Sequence, residues 1–500
     1  MRNYQRIETY PPPVEERRRG ISIGCIVLLI ALFCMVVCAA GFAVWSVFVY
    51  HPIPQLSLGG GGRATVTPHP TLPPPIELPT AATATLPPVL EAPTAAATAA
   101  TTAPAEPPVD EPATEVQAPA EPGQPQQAEQ PQAAEPAPAE AVDTPPGATT
   151  KGVHMNSPEY GMQAFLWWRA ETADRDLRLI RESDFGWVKQ IFGWRDIEGA
   201  GKNQFDWERP DRIVDQVAQH GLNLIIRVDN QPSWAGGGFP GIGPPDNLQD
   251  YADFLFALAS RYEGRIRAYQ IWNEPNLARE WGEKPPSPAE YTEMLKVAYA
   301  AIKRADPDAM VISAGMAPTS RWDDVAMPDV EFVKGMYDAG AAPYFDVLGV
   351  HGAGFKVPPE TDPAVVAQDP VLYNNDPSPE ERRRIYCFRR VEDLRQVMVD
   401  HGDAAKQVAL LEFGWTSDER PDSPYHWHAV TEQEKADYFV RAYQYAKKNW
   451  SPWIGVMSLI YMPYPEWTSD DEKYWWAIID PRYPEQRLRP AYAQLKDMPK

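Results

Sequence analysis

The chain has 500 residues, with 46 Lys and Arg against 68 Asp and Glu, for a formal net charge of −22. So acidic a protein opposes the cation-to-phosphate contacts that drive nucleic-acid binding, which excludes nucleic acid as a partner. Composition changes sharply along the chain, so an apolar run, a Pro-rich run and a large mixed segment must be read separately.

Residues 1–20 are a short polar segment ending in Arg17, Arg18 and Arg19, and residues 21–50 contain no charged side chain. A helix of that length exceeds the roughly 20 residues needed to cross a bilayer. The run therefore predicts a single transmembrane helix, and the preceding cations put the N-terminus in the cytoplasm and the rest of the chain outside the cell membrane. A cleaved signal peptide, cut after Ala39 or Ala40, is the alternative, but its apolar core is usually only about 7–15 residues long. Residues 51–150 hold 23 of the 55 prolines and eleven acids against the single Arg63. Such a segment cannot bury a core and is expected to be a disordered, partly polyproline linker.

Residues 151–500 have the composition of one large folded domain, with 40 cations against 54 acids. Three of the four cysteines (Cys25, Cys34, Cys38) lie in the apolar run, leaving Cys387 alone, so this domain must rely on its core rather than on a disulfide. His426 and His428 flank Trp427, but two His without a third ligand do not make a metal site, and none is expected.

Apolar, β-rich runs occur at 162–167, 187–192, 223–228, 268–272, 310–314, 345–350, 408–413 and 456–461. Between them fall amphipathic helical patterns such as 209–220, 248–262, 289–305, 381–401 and 432–449. Regular alternation of eight such units predicts a parallel α/β fold closed as a (β/α)₈ TIM barrel. An open doubly wound sheet is the alternative; it calls for a Gly-rich phosphate turn, and Gly236 to Gly238 open no clear helix.

In such a barrel the chemistry sits at the C-terminal strand ends. Strand two ends at Gly193 and Trp194, strand three at Arg227 and Asp229 with Trp234 beyond, and strand four at Asn273 and Glu274. Strand six ends at His351, strand seven at Glu412 and Trp415, and strand eight at Tyr461. Strands four and seven lie on opposite sides of the ring, so Glu274 and Glu412 can face each other across its mouth. That pairing suits glycosidic bond cleavage, which needs one acid and one nucleophile or base. A separation of about 5–5.5 Å means retention and roughly 6.5–9.5 Å inversion, and the residues alone leave this open. In the bland reading Glu274 only accepts bonds from a turn and Glu412 pairs with a cation such as Arg227; two glutamates on both of the relevant strands weigh against it. Asn273 is placed to bond a sugar 2-hydroxyl. Trp167, Trp194, Trp234, Trp281, Trp415, Trp467 and Trp475 fall at predicted strand ends or loops, where indole faces stack on sugars.

WNEPN at 272–276, the segment 288–315, and GKNQFDWERPDRIVDQVAQHGLNLIIRV at 201–228 with QPSWA after it resemble clan A retaining glycoside hydrolases, in particular family 39 and family 5-like proteins. The resemblance spans nearly all of 155–496. It implies Glu274 as acid/base, Asn273 as the 2-hydroxyl partner, Glu412 as nucleophile and His351 in the strand-six subsite. Many relatives carry a Tyr two residues after that His which bonds the nucleophile; here it is Ala353, with Tyr461 as the nearest replacement. Arg227, Trp194, Trp234, Trp281, Trp415 and Trp467 complete the expected substrate-binding set. The implied activity is retaining hydrolysis of a β-linked oligo- or polysaccharide without a cofactor, by a domain tethered to the lipid bilayer through residues 21–50. Glu274 is expected to stay protonated near neutral pH through its surroundings and the neighbouring carboxylate. A silent glycan-binding scaffold and a surface-polysaccharide transglycosylase are the alternatives.

Overall fold

The computed structural model describes residues 154–485 and 487–500; the expected membrane helix at 21–50 and linker at 51–150 lie outside them. Among the described residues no helix is long and apolar enough to cross a membrane.

Eight parallel strands close into a barrel: β1 (Glu159–Gln163), β2 (Trp187–Gly193), β3 (Asn223–Asp229), β4 (Ala268–Ile271), β5 (Met310–Ile312), β6 (Val347–Ala353), β7 (Gln407–Gly414) and β8 (Ile454–Leu459). Closure comes from β1, which pairs with both β2 and β8. The main helices packed around the ring are α1 (Ala170–Glu182), α2 (Glu208–Gln219), α3 (Leu248–Arg261), α4 (Pro288–Ala305), α5 (Asp329–Asp338), α6 (Arg390–Asp400), α7 (Glu432–Asn449) and α8 (Pro490–Asp497). Local signals start several of them. Asn247 caps α3, Ser287 caps α4 with Pro288 in its first turn, and Thr431 and Glu434 form a reciprocal capping box on α7.

Side chains alternate along each strand, and the barrel interior uses that alternation in layers. The lower layers are an apolar plug that includes Trp187, Ile225, Ala268, Met310, Val347, Ala409 and Val456. Two residues further up, the same inward face carries Lys189 on β2, Arg227 on β3, Gln270 on β4, Ser458 on β8 and Gln163 on β1, all buried. A polar layer thus rests on the plug, directly below the mouth.

The last step upward depends on a bulge. Val350 pairs with Leu410 but His351 pairs with Glu412, so Leu411 is an extra residue in β7. Leu411 belongs to the apolar interior, and the bulge lets the next residue, Glu412, face inward as well.

Several strand ends shift by one to three residues from expectation, and two elements differ more. The apolar run at 162–167 is only partly strand: β1 ends at Gln163, and Ala164, Leu166 and Trp167 are buried in a loop whose Leu166 N–H is satisfied by Gln190 Oε1 at 2.6 Å. The expected helix at 381–401 is broken into a turn at Glu380–Arg383 and α6. The intervening stretch turns Cys387 and Phe388 inward, Phe388 against Trp415 and Trp450.

Candidate active site

The chain leaves β4 through a strained turn. Trp272 and Glu274 have φ of 68° and 43°, left-handed values that cost a non-Gly residue about 1–3 kcal/mol each. The contortion separates neighbouring side chains. Trp272 goes into the core, its Nε1 donating to Glu280 O at 2.8 Å, while Glu274 points to the mouth. Asn276 pins the turn by donating to Ala317 O and Met327 O and accepting from the Ala317 N–H.

Both oxygens of Glu274 are held. His351 Nδ1 lies 3.1 Å from Oε1, and Arg279 Nη2 donates to Oε2 at 3.1 Å. Opposite, Lys189 Nζ donates to Glu412 Oε1 at 3.0 Å and to Leu411 O at 3.2 Å, and Arg227 Nη1 stands 3.6 Å from the same Oε1 while its Nε pairs with Asp229 at 2.8 Å. One ligand atom each from Glu274, His351 and Glu412 lie within 4.8 Å of one another. That is the only such group of potential metal ligands among the described residues, but Lys189, Arg227 and Arg279 already neutralise its carboxylates, which disfavours a dication there.

Charge sets the protonation states. Burial alone pushes the Glu412 carboxyl up, but the charges of Lys189, His351 and Arg227 and the Lys189 bond outweigh it and lower the group to about 2. For Glu274 burial again acts upward, and the His351 bond and charge together with Arg279 prevail, so its pKa is lowered. This corrects the expectation that its surroundings keep Glu274 protonated near neutral pH: the Glu412 charge does act upward, but is outweighed. Burial drives Lys189 down to about 8, opposed by Glu412.

Asn273 is buried at the strand end, where Gln270 Nε2 approaches its Oδ1 at 3.5 Å, leaving the amide nitrogen as the end to donate to a ligand. Tyr461 stands close enough to the pair that, after burial, the charges of Glu412, Glu472 and Glu274 hold its hydroxyl protonated. Its ring and those of Phe165 and Trp467 form one aromatic wall, with centroids 4.9–5.7 Å apart.

Four expected sugar platforms are core residues instead; one of them, Trp167, is 1% exposed and packs edge-on against Phe192. Trp194, Trp281 and Trp415 are wholly buried. Trp194 packs against Trp234, Tyr251 and Phe254, Trp281 between Trp272 and Tyr291, and Trp415 against Phe388 and Phe439. Their indole nitrogens bond to Glu198, Glu290 and Val357 O, so each satisfies its polar edge inside the fold. Trp234 is partly exposed, with its nitrogen donating to Glu198 O. Conversely, the sequence reading passed over Phe239 and Trp322, 43% and 56% exposed on the loops after β3 and β5.

It also passed over Lys189, Arg279 and Gly315. A Lys inside the apolar strand WVKQIF signals a buried partner, since an unpaired charge there is prohibitive. A Cβ on Gly315 would fall onto the His351 ring. Gly315→Ala is therefore expected to displace the imidazole, costing about 1–3 kcal/mol of stability and loosening Glu274; chemical denaturation and a crystal structure of the variant check both.

Comparison with known proteins follows this geometry. Residues 147–344 match the family model described as Cellulase (glycosyl hydrolase family 5), a stretch that contains Glu274 and stops short of His351 and Glu412. Over that stretch the chain is similar to glycosyl hydrolases of the family 5 type. A β-xylosidase of Geobacillus stearothermophilus is 26% identical over 150 residues, which is 26% of this chain and 28% of that protein. The chain thus aligns with under a third of that curated relative's length. A family 39 glycoside hydrolase from Bacteroides cellulosilyticus WH2 superposes with a TM-score of 0.48 at 18% identity, over 68% of this chain and 63% of that one. A GH5_18 protein from Streptomyces cattleya, solved in complex with GlcNAc, gives 0.49 at 14% identity over 69% and 80%. The chain carries its two mouth glutamates on β7 and directly after β4.

Proposed function

We propose that this chain is a retaining glycoside hydrolase acting on a β-linked oligo- or polysaccharide, with Glu412 as nucleophile and Glu274 as acid/base. The observation that carries the reading is the close approach of the two carboxylates, whose Glu274 and Glu412 atoms lie within 4.8 Å across the mouth. That spacing leaves no room for a water between carboxylate and sugar and favours direct attack.

Glu412 attacks the anomeric carbon as the bond to the leaving oxygen breaks, and Glu274 gives that oxygen its proton. Water then attacks the same carbon, Glu274 takes the proton, and the ester bond to Glu412 breaks. Among the influences on Glu274 the Glu412 charge acts upward. Esterification removes it, so Glu274 ionises more readily when it must act as base. Asn273 serves the 2-hydroxyl, and the Tyr461, Phe165 and Trp467 wall serves the ring faces.

Because both carboxyls titrate low, kcat/KM of the free enzyme is expected to peak on the acid side of neutrality: it requires Glu412 ionised and Glu274 protonated. Arg279→Gln removes a cation from Glu274, so the alkaline limb should move to higher pH, with the acid limb fixed. A pH–rate profile of the variant checks this, and an unmoved alkaline limb would count against Glu274 as the acid.

Because relatives are described as cellulase and β-xylosidase, β-glucans and β-xylosides head the substrate panel. Product mass spectrometry on the full-length chain, with Glu274→Gln and Glu412→Gln controls, tests the reading. Cleavage lost in both variants supports it; binding without cleavage by the wild type leaves a scaffold, and sugar rather than water as acceptor a transglycosylase. We further propose that residues 21–50 anchor the chain in the cell membrane with the barrel outside, on the strength of the charge-free run and the three arginines before it.

A further inference from the structure

We propose that Trp322 is a sugar-stacking platform on the leaving-group side of the scissile bond, so that the leaving group this barrel selects is itself a glycan chain rather than a small aglycone. The inference deepens the glycosidase reading above and rests on it for the cleavage; the platform itself rests on geometry.

Strand order sets the line along which a glycan lies. In the closed ring, β1 and β8 stand opposite β5 and β4. The aromatic wall of Phe165, Tyr461 and Trp467 follows β1 and β8, and Trp322 lies in the loop after β5, at the other end of that diameter. Glu412 is on β7, beside β8, and Glu274 follows β4, beside β5. A sugar chain laid along the diameter therefore meets the wall, then Glu412, then Glu274, then Trp322. The acid protonates the leaving oxygen, so what lies beyond Glu274 belongs to the leaving group.

The loop holds the ring still. Its backbone is fastened to the turn that carries Glu274: the Ala278 N–H donates to Val325 O and the Met327 N–H to Asn276 O, each at 2.9 Å, and Asn276 Nδ2 reaches Ala317 O and Met327 O, each at 2.9 Å. Asp323 braces the tip by accepting from the N–H groups of Val325 and Ala326 and from Arg321. Platform and proton donor are thus fixed to one another, as a subsite on a shared frame requires. Trp322 is 56% exposed in this braced loop. Unlike Trp194, Trp281 and Trp415, whose nitrogens bond inside the fold, it has no hydrogen bond and no stacked ring among the described residues. Arg382, from the turn at Glu380–Arg383, lies over it, the guanidinium carbon 5.9 Å from the ring centroid while Nη1 donates to Ser320 O at 3.0 Å. The cation backs one face of the indole, and the other is open to the C–H face of a pyranose.

The test compares wild type, Trp322→Ala and Trp322→Tyr in the full-length chain, on β-linked xylo- and gluco-oligosaccharides from disaccharide to hexasaccharide and on the matching aryl β-glycosides. In the wild type kcat/KM should rise as sugars are added on the leaving side. The ratio of kcat/KM on the hexasaccharide to that on the aryl glycoside should fall about tenfold in Trp322→Ala and largely recover in Trp322→Tyr, which restores a ring. An unchanged ratio in Trp322→Ala overturns the proposal, as does a loss in Trp322→Tyr equal to that in Trp322→Ala. A readout free of turnover separates this inference from the reading beneath it. Calorimetric titration of Glu412→Gln with the hexasaccharides, with and without Trp322→Ala, should show Kd rising about tenfold when the indole is lost. That rise, with a wild type that cleaves no member of the series, sinks the glycosidase reading alone. An equal Kd sinks the platform whatever the activity, as does failure of every hexasaccharide to bind.

Discussion

Glu412→Gln is expected to lower turnover on the order of 10⁴-fold or more, because it removes the atom that forms the covalent bond and no neighbouring group can replace it. Lys189 and Arg227 are cations, and Tyr461 is held protonated. The variant should remain folded. Its amide oxygen still accepts from Lys189, and the apolar plug below is untouched. Some stability is lost all the same, about 1–3 kcal/mol, since a buried ammonium then faces a neutral partner. Steady-state kinetics and thermal unfolding read the two effects separately. Turnover within tenfold of wild type in a folded variant would remove Glu412 from its role.

Glu274→Gln is expected to discriminate between leaving groups. A glycan leaves as an alkoxide that needs a proton, so its cleavage should fall by about 10²–10⁴-fold. A dinitrophenolate leaves unaided, so formation of the glycosyl-enzyme from such a substrate should change by less than about tenfold. Pre-steady-state bursts on the two substrate types make the measurement. Equal losses on both would mean that the carboxyl only shapes the site, through His351 and Arg279, and donates no proton.

Much of the barrel was legible because parallel strands buried on both faces read as apolar runs, and the runs at 187–192, 223–228 and 408–413 fall within β2, β3 and β7. Where burial and strand diverge, the signal misleads: Ala164, Leu166 and Trp167 are as apolar as any strand yet form a loop bonded by Gln190. The glutamate pair was visible from strand count alone. Its electrostatics were not, because the partners of Glu412 come from β2 and β3, and one partner of Glu274 from β6. Arg279, five residues after Glu274, was within reach of a local reading, as was the lone charge of Lys189 in its apolar strand. Trp194, Trp281 and Trp415 show the converse problem: an indole at a strand end has the same letter whether it faces a sugar or the helical layer, and only the neighbours packed on it decide.

The extra residue in β7 aims the Glu412 carboxylate by counting rather than by identity. Gaining one residue between Leu411 and Glu412 would turn that carboxylate away from the mouth, although every side chain that touches it remained. Exchanging Leu411 for another apolar residue keeps the count and the direction. Single-residue insertions between Leu411 and Glu412 are thus a class of genetic change to which this barrel is far less tolerant than to substitution, and a sequence alignment that opens a gap there loses the nucleophile.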